Sequence, residues 1–334
     1  MASIKDVAAR AGVSVASVSR VLNASKPVAE ATRRRVLAAA EALHYSIDQR
    51  ARALRRRKSG TLGLIVSDVG NPYFPEVISA IESVAYLSGH DLFLCNSDED
   101  PDRERFYIRA MIAQRIGGII IVPVTFTSAS LALALRNDIP IVCLDRRVDD
   151  AELDSVLIDN RAGGALAADA VLAYGHRRIG AIVATRTTPG HDRLAGFAER
   201  LGARGVPLDA RLVRDGEYKQ SGGYAAARSI FDQPDRPTAL FVANHPMTLG
   251  ALQAARDCSL RVPHDLSLIA FDDTAWATFL DPPLTTISQP THALGTAAAE
   301  LLIDRVEDRY TGAARSIVLQ PELMERASIA ACAP

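Results

Sequence analysis

SIKDVAARAGVSVASVSRVLN (3–23) decides how the N-terminal part of the chain is read. Ser3 and Asp6 have the spacing of a capping box, in which each residue bonds the other's backbone N–H at the start of a helix. Ile4, Val7, Ala8 and Ala11 then recur at i, i+3, i+4 and i+7, the apolar stripe of an amphipathic helix. Gly12 ends it, since glycine enters the left-handed conformation without steric cost. Ser14 can cap a second helix running to about Asn23. Val18, Val21 and Leu22 face inward on it, and Ala16, Ser17, Arg20 and Asn23 share the opposite face. A third helix is predicted from about Ala29 to His44, with Val36, Ala40 and Leu43 inside and Arg33 and Arg34 outside.

The charge follows this division. Residues 1–58 carry 13 basic and 4 acidic side chains, or +9, whereas the rest of the 334-residue chain carries 25 and 35, or −10. A small basic head on a large acidic body points to a polyanion as the head's partner. Composition is ordinary for a globular protein, 48% apolar and 23% charged. No apolar run reaches the ~18–20 residues of a membrane span, and MASIKDVAARAG lacks the apolar stretch of a secretory signal. Cys95, Cys143, Cys258 and Cys332 show no paired spacing, which suggests reduced thiols and a cytoplasmic protein.

From Leu62 onward, apolar runs alternate with amphipathic helical stretches such as 74–89, 103–115, 161–174 and 193–204. The runs lie at 62–68, 91–97, 117–123, 139–145, 155–160, 178–184, 238–244 and 266–273. Rich in Val and Ile and without polar alternation, they read as strands buried on both faces, the signature of an α/β fold with parallel sheets. About 270 residues exceed one such core, so two lobes are expected. Asp68, Asp145, Asn160, Asn244 and Asp272 stand where strands end. Ligands of open α/β sheets bind beyond those ends. The plain alternative is that each residue caps the helix after it.

Between head and body, 48–60 holds six basic residues in 50–58 and Leu54 as its bulky apolar residue. So short a helix is marginal alone, and it should order against a partner.

Taken together, IKDVAARAGVSVASVSRVLN (4–23), V-x-E-x-T-R-x-x-V (28–36), L-H-Y (43–45) and A-R-A-L (51–54) resemble the DNA-binding head of LacI/GalR-family regulators. The body continues the likeness, in order, with NPYF (71–74), IGGIII (116–121), DNRAGG (159–164), GHRRIG (175–180), RLAGF (193–197), RPTALFVAN (236–244), LRVPHDLSLIAFDD (260–273) and PPLTTISQP (282–290). The resemblance implies an all-α helix-turn-helix head (1–46), a hinge helix or linker (47–60) and an effector-binding, dimerising body (61–334). That body resembles two-lobed type I periplasmic sugar-binding proteins. Its lobes are expected at about 61–160 with 291–320, and about 161–290 with 321–334.

For the head, the resemblance implies a second helix in the DNA major groove, with Ser14, Val15, Ala16, Ser17, Arg20 and Asn23 near bases or phosphates. Arg20 suits a bidentate contact with guanine, and Val15 and Ala16 suit thymine methyls. Arg33, Tyr45, Arg52 and Arg55 complete the expected DNA contacts. Leu54 would wedge into the minor groove at the centre of a palindromic operator, unstacking one base step. Ile47 departs from the proline common in the family before the hinge.

For the body, the resemblance carries Tyr73, Phe74, Tyr218, Asp145, Arg193, Asn244 and Asp272 over as effector contacts; Arg146 and Trp276 are added from their place in the sequence. Carboxylates and guanidinium groups suit vicinal hydroxyls, and aromatic faces suit sugar C–H surfaces. His245 stands where the family usually has an acid, which could remove a helix cap or alter ligand choice. The stretch 184–192 gives no ground for assuming a purine, which stays an alternative effector, while Arg146, Arg186 and Arg193 leave open a sugar acid or sugar phosphate.

The expected function is therefore a cytoplasmic, nucleoid-associated repressor, a homodimer on double-stranded palindromic operator DNA, controlled by a small sugar-like effector. No catalytic motif stands out: GVSVA (12–16) misses the G-x-S-x-G elbow at its last position. The seven histidines form no metal-spaced pair, and neither cofactor nor metal is expected. A transport-type binding protein would fit the body but leave the basic head unexplained.

Overall fold

The computed structural model describes residues 3–22, 28–43, 45 and 60–332. The chain divides into two units, Met1–Ser59 and Gly60–Pro334.

In the first unit, helix α1 (Ile4–Ala11) begins with the capping box: Asp6 N–H donates to Ser3 Oγ, and Ser3 N–H to the Asp6 carboxylate at 2.7 Å. Gly12 closes it at φ +62°, donating its N–H to the carbonyls of Ala8 and Ala9. Helix α2 (Val15–Leu22) starts where Ser14 Oγ accepts Ser17 N–H at 3.1 Å. Helix α3 (Glu30–Ala42) has no side-chain cap and is shorter at both ends than its sequence pattern implied. Val7, Val18 and Val36, one from each helix, are fully buried and meet Ala8, Ala11, Ala39 and Ala40 in one small core.

The second unit is built on two six-stranded sheets. The first contains β1 (Thr61–Val66), β2 (Asp91–Asn96), β3 (Gly118–Ile121), β4 (Ile141–Leu144), β5 (Asp154–Ile158) and β11 (Ser316–Leu319). Its order is β11-β5-β4-β3-β1-β2, and every pair is parallel. The second contains β6 (Ile179–Val183), β7 (Val213–Asp215), β8 (Ala239–Val242), β9 (Ser267–Phe271), β10 (Thr285–Ser288) and β12 (Glu322–Met324). Its order is β12-β10-β9-β8-β6-β7, with only β10–β12 antiparallel.

Helices α4 (Tyr73–Leu87), α5 (Pro101–Ala113), α6 (Ala132–Arg136) and α11 (Thr291–Val306) pack with the first sheet. Helices α7 (Asn160–Ala173), α8 (Thr188–Ala203), α9 (Gln220–Phe231) and α10 (His245–Asp257) pack with the second. The chain crosses between lobes after β5, after β10 and after β11. Burial follows from helices on both faces: β1, β3, β4, β6, β8 and β9 are buried almost throughout.

β2 corrects the expectation of strands buried on both faces. It is the edge strand, paired with β1 alone, and Phe93 and Leu94 are more than 40% exposed.

Helices α7 and α8 touch backbone to backbone. A Cβ on Gly164 would stand 2.1 Å from the Arg193 carbonyl oxygen, and one on Gly196 2.0 Å from that of Arg161. Only glycine allows this approach, and it fixes the height at which Arg193 leaves α8.

Candidate functional site

The head presents its expected contacts unevenly. Val15, Ala16 and Arg20 are exposed on α2, as are Ser14 before it and Arg33 on α3. Ser17 is half-buried and bonds Ser14. Tyr45 packs partly against the head core, its N–H on the Ala40 carbonyl. Asn23, Arg52, Leu54 and Arg55 lie outside the described residues, as do Ile47 and the rest of the expected hinge except Gly60.

In the body, strand ends of both sheets face one cleft between the lobes. Asp68 follows β1 and Asp145 follows β4; opposite them Asn244 follows β8 and Asp272 follows β9. Asn160, the fifth strand-end residue, supports the cleft from behind, its Oδ1 accepting Arg193 Nε–H at 2.8 Å.

Asn244 unites both readings of such residues. Its Oδ1 caps α10 by accepting Met247 N–H at 3.0 Å, while Nδ2 is buried without a partner at the cleft. The cap of α10 thus survives the family's acid becoming His245. Asp272 does not cap the turn before Trp276. Its Oδ2 accepts His245 N–H at 3.1 Å and its Oδ1 accepts the Gln289 amide at 2.6 Å.

Arg146 forks onto Glu99 (Nη1–Oε2 2.8 Å, Nη2–Oε1 2.6 Å) and places Nε 3.7 Å from Asp145. Burial pulls the Glu99 carboxyl upward, but the Arg146 fork outweighs it and holds Glu99 below the usual range. Burial dominates at Asp145 and raises its pKa against the pull of Arg146 and Arg193. Arg193 donates Nη1–H to the Ala243 carbonyl at 2.7 Å and lies 3.6 Å over the Phe271 ring.

Tyr73 and Phe74, at the start of α4, meet edge to face at 5.0 Å. Burial first, then the charges of Asp145 and Asp272, push the Tyr73 phenol well above its ordinary pKa. Tyr218, from the other lobe, bonds Thr187 and sits 5.3 Å from the Arg146 guanidinium, so the two lobes touch across the cleft. Five cleft residues have left-handed backbones: Asp98, Glu99, Asp145, Tyr218 and Asp272. Such conformations in non-glycine residues cluster at functional sites, where surrounding structure holds them.

Tyr73, Phe74, Asp145, Arg146, Arg193, Tyr218, Asn244 and Asp272 thus come together. Trp276 does not join them. It lines an adjoining groove of about 620 Å³ that shares Tyr73, Asp272 and Gln289 with the cleft. The reason is local: Trp276 Nε1–H donates to His245 Nε2, which turns the indole away. Arg186 is exposed and is not a cleft residue.

Glu99 and Gln289 escaped the sequence reading. Glu99 falls just beyond the run 91–97 and answers to the same strand-end rule. Gln289 sits inside PPLTTISQP, which the family likeness had marked. The cleft encloses only about 40 Å³ in this arrangement. Sites for small molecules commonly hold ~300–1,000 Å³, so a ring-sized ligand requires the lobes to part.

Known proteins resemble both units. Residues 3–48 match the family described as bacterial regulatory proteins, lacI family, and residues 168–329 match a periplasmic binding protein-like domain. The HTH-type transcriptional repressor PurR of Pectobacterium carotovorum is 37% identical, over 99% of this chain and 97% of its own. Among solved structures, a putative ribose operon repressor from Burkholderia thailandensis is 34% identical with a TM-score of 0.74, covering 80% of this chain and 99% of its own. The lac repressor dimer bound to operator and the anti-inducer ONPF is 27% identical with a TM-score of 0.86, covering 99% of each chain.

Proposed function

The chain belongs to the LacI family of bacterial regulatory proteins, and from that premise we propose a ligand-controlled transcriptional repressor that binds a palindromic operator as a homodimer. Helix α2 enters the major groove, where Arg20 reads guanine and Val15 and Ala16 meet thymine methyls. Leu54 wedges the minor groove between two paired hinges. The division is head 1–46, hinge 47–60 and body 61–334. The protein acts in the cytoplasm on nucleoid DNA and catalyses no reaction. Exposed apolar side chains at the end of α4 (Tyr86, Leu87), on β2 (Phe93, Leu94) and on α5 (Phe106) support association through the first lobe.

The effector is a small sugar held between the lobes. One observation carries this: Asn244 Nδ2 and Gln289 Oε1 are buried without protein partners, Ser67 Oγ, Tyr73 OH and Arg146 Nε are buried with a carboxylate of Glu99 or Asp145 near them but no well-formed hydrogen bond, and all five line the same cleft. Buried polar atoms nearly always make well-formed hydrogen bonds, so five that make none at one place call for a ligand rich in hydroxyls. The ligand acts by favouring one lobe arrangement, and its leverage equals its difference in affinity between the two. A purine is the second reading, favoured by the aromatic faces of Tyr73, Phe74 and Tyr218.

A melting-temperature screen of neutral sugars, sugar acids and purines separates these readings, because a ligand of the native state raises the transition. Hits should change Trp276 fluorescence saturably and shift operator affinity. A purine hit with no sugar hit overturns the sugar reading. No preference for any duplex in a random-library selection overturns the repressor reading.

A further inference from the structure

The cleft carries more charge than a sugar needs. Among its lining residues Asp68, Asp98, Glu99, Asp145 and Asp272 stand against Arg146, Arg193 and Lys219, five acids and three cations, a net formal charge of −2, with Arg103 paired to Asp98 and Arg186 acting on Glu99 from outside the lining. The two arginines are also partly engaged. Both Nη atoms of Arg146 are taken by Glu99, with Nη1 in addition 3.3 Å from the Pro123 carbonyl. Arg193 has Nε on Asn160 and Nη1 on Ala243, and its plane lies against Phe271. What Arg146 leaves for a ligand is Nε–H and the second N–H of Nη2, separate donors suited to hydroxyls, while Glu99 holds the two-pronged face. An anion seeking the Arg146 fork would have to displace Glu99, leaving a half-buried carboxylate unpaired beside Asp98 and Asp145. Uncompensated charge in such surroundings is strongly unfavourable.

We propose that Glu99 is a specificity-determining residue: by occupying the Arg146 fork it makes the cleft a charge filter that admits neutral polyhydroxyl ligands and rejects sugar acids and sugar phosphates of the same shape. This rests on the sugar reading above. The Arg146–Glu99 pair spans 47 residues of sequence, and the resulting rejection works through mismatched charge rather than bulk.

The test compares ligands of one size and two charges. D-Ribose, D-glucose and D-galactose are titrated calorimetrically into the full-length protein. For each of the three, the acid formed at its terminal carbon and the amide of that acid are titrated as well. The amide should bind at least tenfold tighter than the acid. In Glu99→Gln, which keeps the side chain's size and an acceptor oxygen, the gap should shrink at least tenfold. Acid binding as tight as amide binding in the wild-type protein overturns the filter, and that comparison stands even where the variant fails to fold. An unchanged gap in a variant that melts with the wild type overturns the role of Glu99. Binding of an acid but of none of the neutral sugars also overturns the filter. If no neutral or acidic sugar binds, the sugar reading itself fails, and the filter with it.

Discussion

The Asp272 carboxylate accepts the Gln289 amide at 2.6 Å, tying the end of β9 to the point where the chain crosses from β10 to the other lobe. Both residues line the cleft. A ligand bonded to Asp272 therefore acts on a group already attached to a lobe crossing. Asp272→Asn sets an amide N–H against one of two donors, His245 N–H or the Gln289 amide. The expected result is a lower melting temperature together with effector binding weakened by about 1.5–3 kcal/mol, the range for hydrogen bonds to charged groups. Calorimetry of both proteins with one ligand decides it, and equal dissociation constants remove Asp272 from the site.

Gly164→Ala tests how Arg193 is held. The added methyl falls on the Arg193 carbonyl, so α7 and α8 must separate. Overpacking of this kind costs about 1–3 kcal/mol. Urea unfolding should show that loss, and effector affinity should fall with it because Arg193 moves in the cleft. Unchanged stability would mean that the helices slide apart freely.

On DNA, Arg20→Ala should weaken specific binding by about 1–3 kcal/mol and relax preference at one base pair of each half-site. Leu54→Ala should lose specific binding and keep most non-specific binding. Wild-type affinity should fall steeply with salt as six or more phosphates are neutralised. Anisotropy titrations on the selected operator and on random duplex provide the comparison. A Leu54→Ala protein that binds operator as the wild type does excludes the wedge.

His245 predicts a pH response. Its Nε2 accepts the Trp276 N–H, so the ring proton sits on Nδ1, which is buried without a partner. Burial lowers its pKa below the ordinary histidine value, with the Asp272 charge pulling the other way. The unfolded chain therefore takes up the proton first. Stability from neutral His245 is complete above the unfolded value of ~6.5 and is lost as pH falls below it. His176, held by Thr238 and Ser267, shifts in the same direction. The melting temperature should drop between pH 7.5 and 5.5, and drop less in His245→Gln. Equal slopes for the two proteins would rule His245 out.

Much of this was legible along the chain. Ser3, Asp6, Gly12 and Ser14 act within a few residues of themselves, so local chemistry alone sets α1 and α2. All eight long apolar runs became strands, seven of them largely buried, because a run buried on both faces needs no knowledge of its neighbours; β2 is the mostly exposed exception. β7, β11 and β12 left no such mark; they are three or four residues long and largely unburied. β10 is well buried, but Thr285, Thr286 and Ser288 mask it in sequence. Trp276 was misplaced because sequence proximity to Asp272 says nothing about where an indole turns once His245 offers an acceptor.

By itself, then, the sequence determined the first two helices with their caps, eight of the twelve strands among the described residues and the class of fold, since helix periodicity, capping and buried apolar runs are short-range properties. Tertiary structure decided which strand ends meet. Glu99 finds Arg146 because β2 and β4 end on one edge of the first sheet, and Asp272 finds both His245 and Gln289 because β8, β9 and β10 end together in the second. The three crossings between the sheets then set these strand ends face to face as a cleft, because pairing between distant side chains depends on how the sheets are placed and not on spacing along the chain.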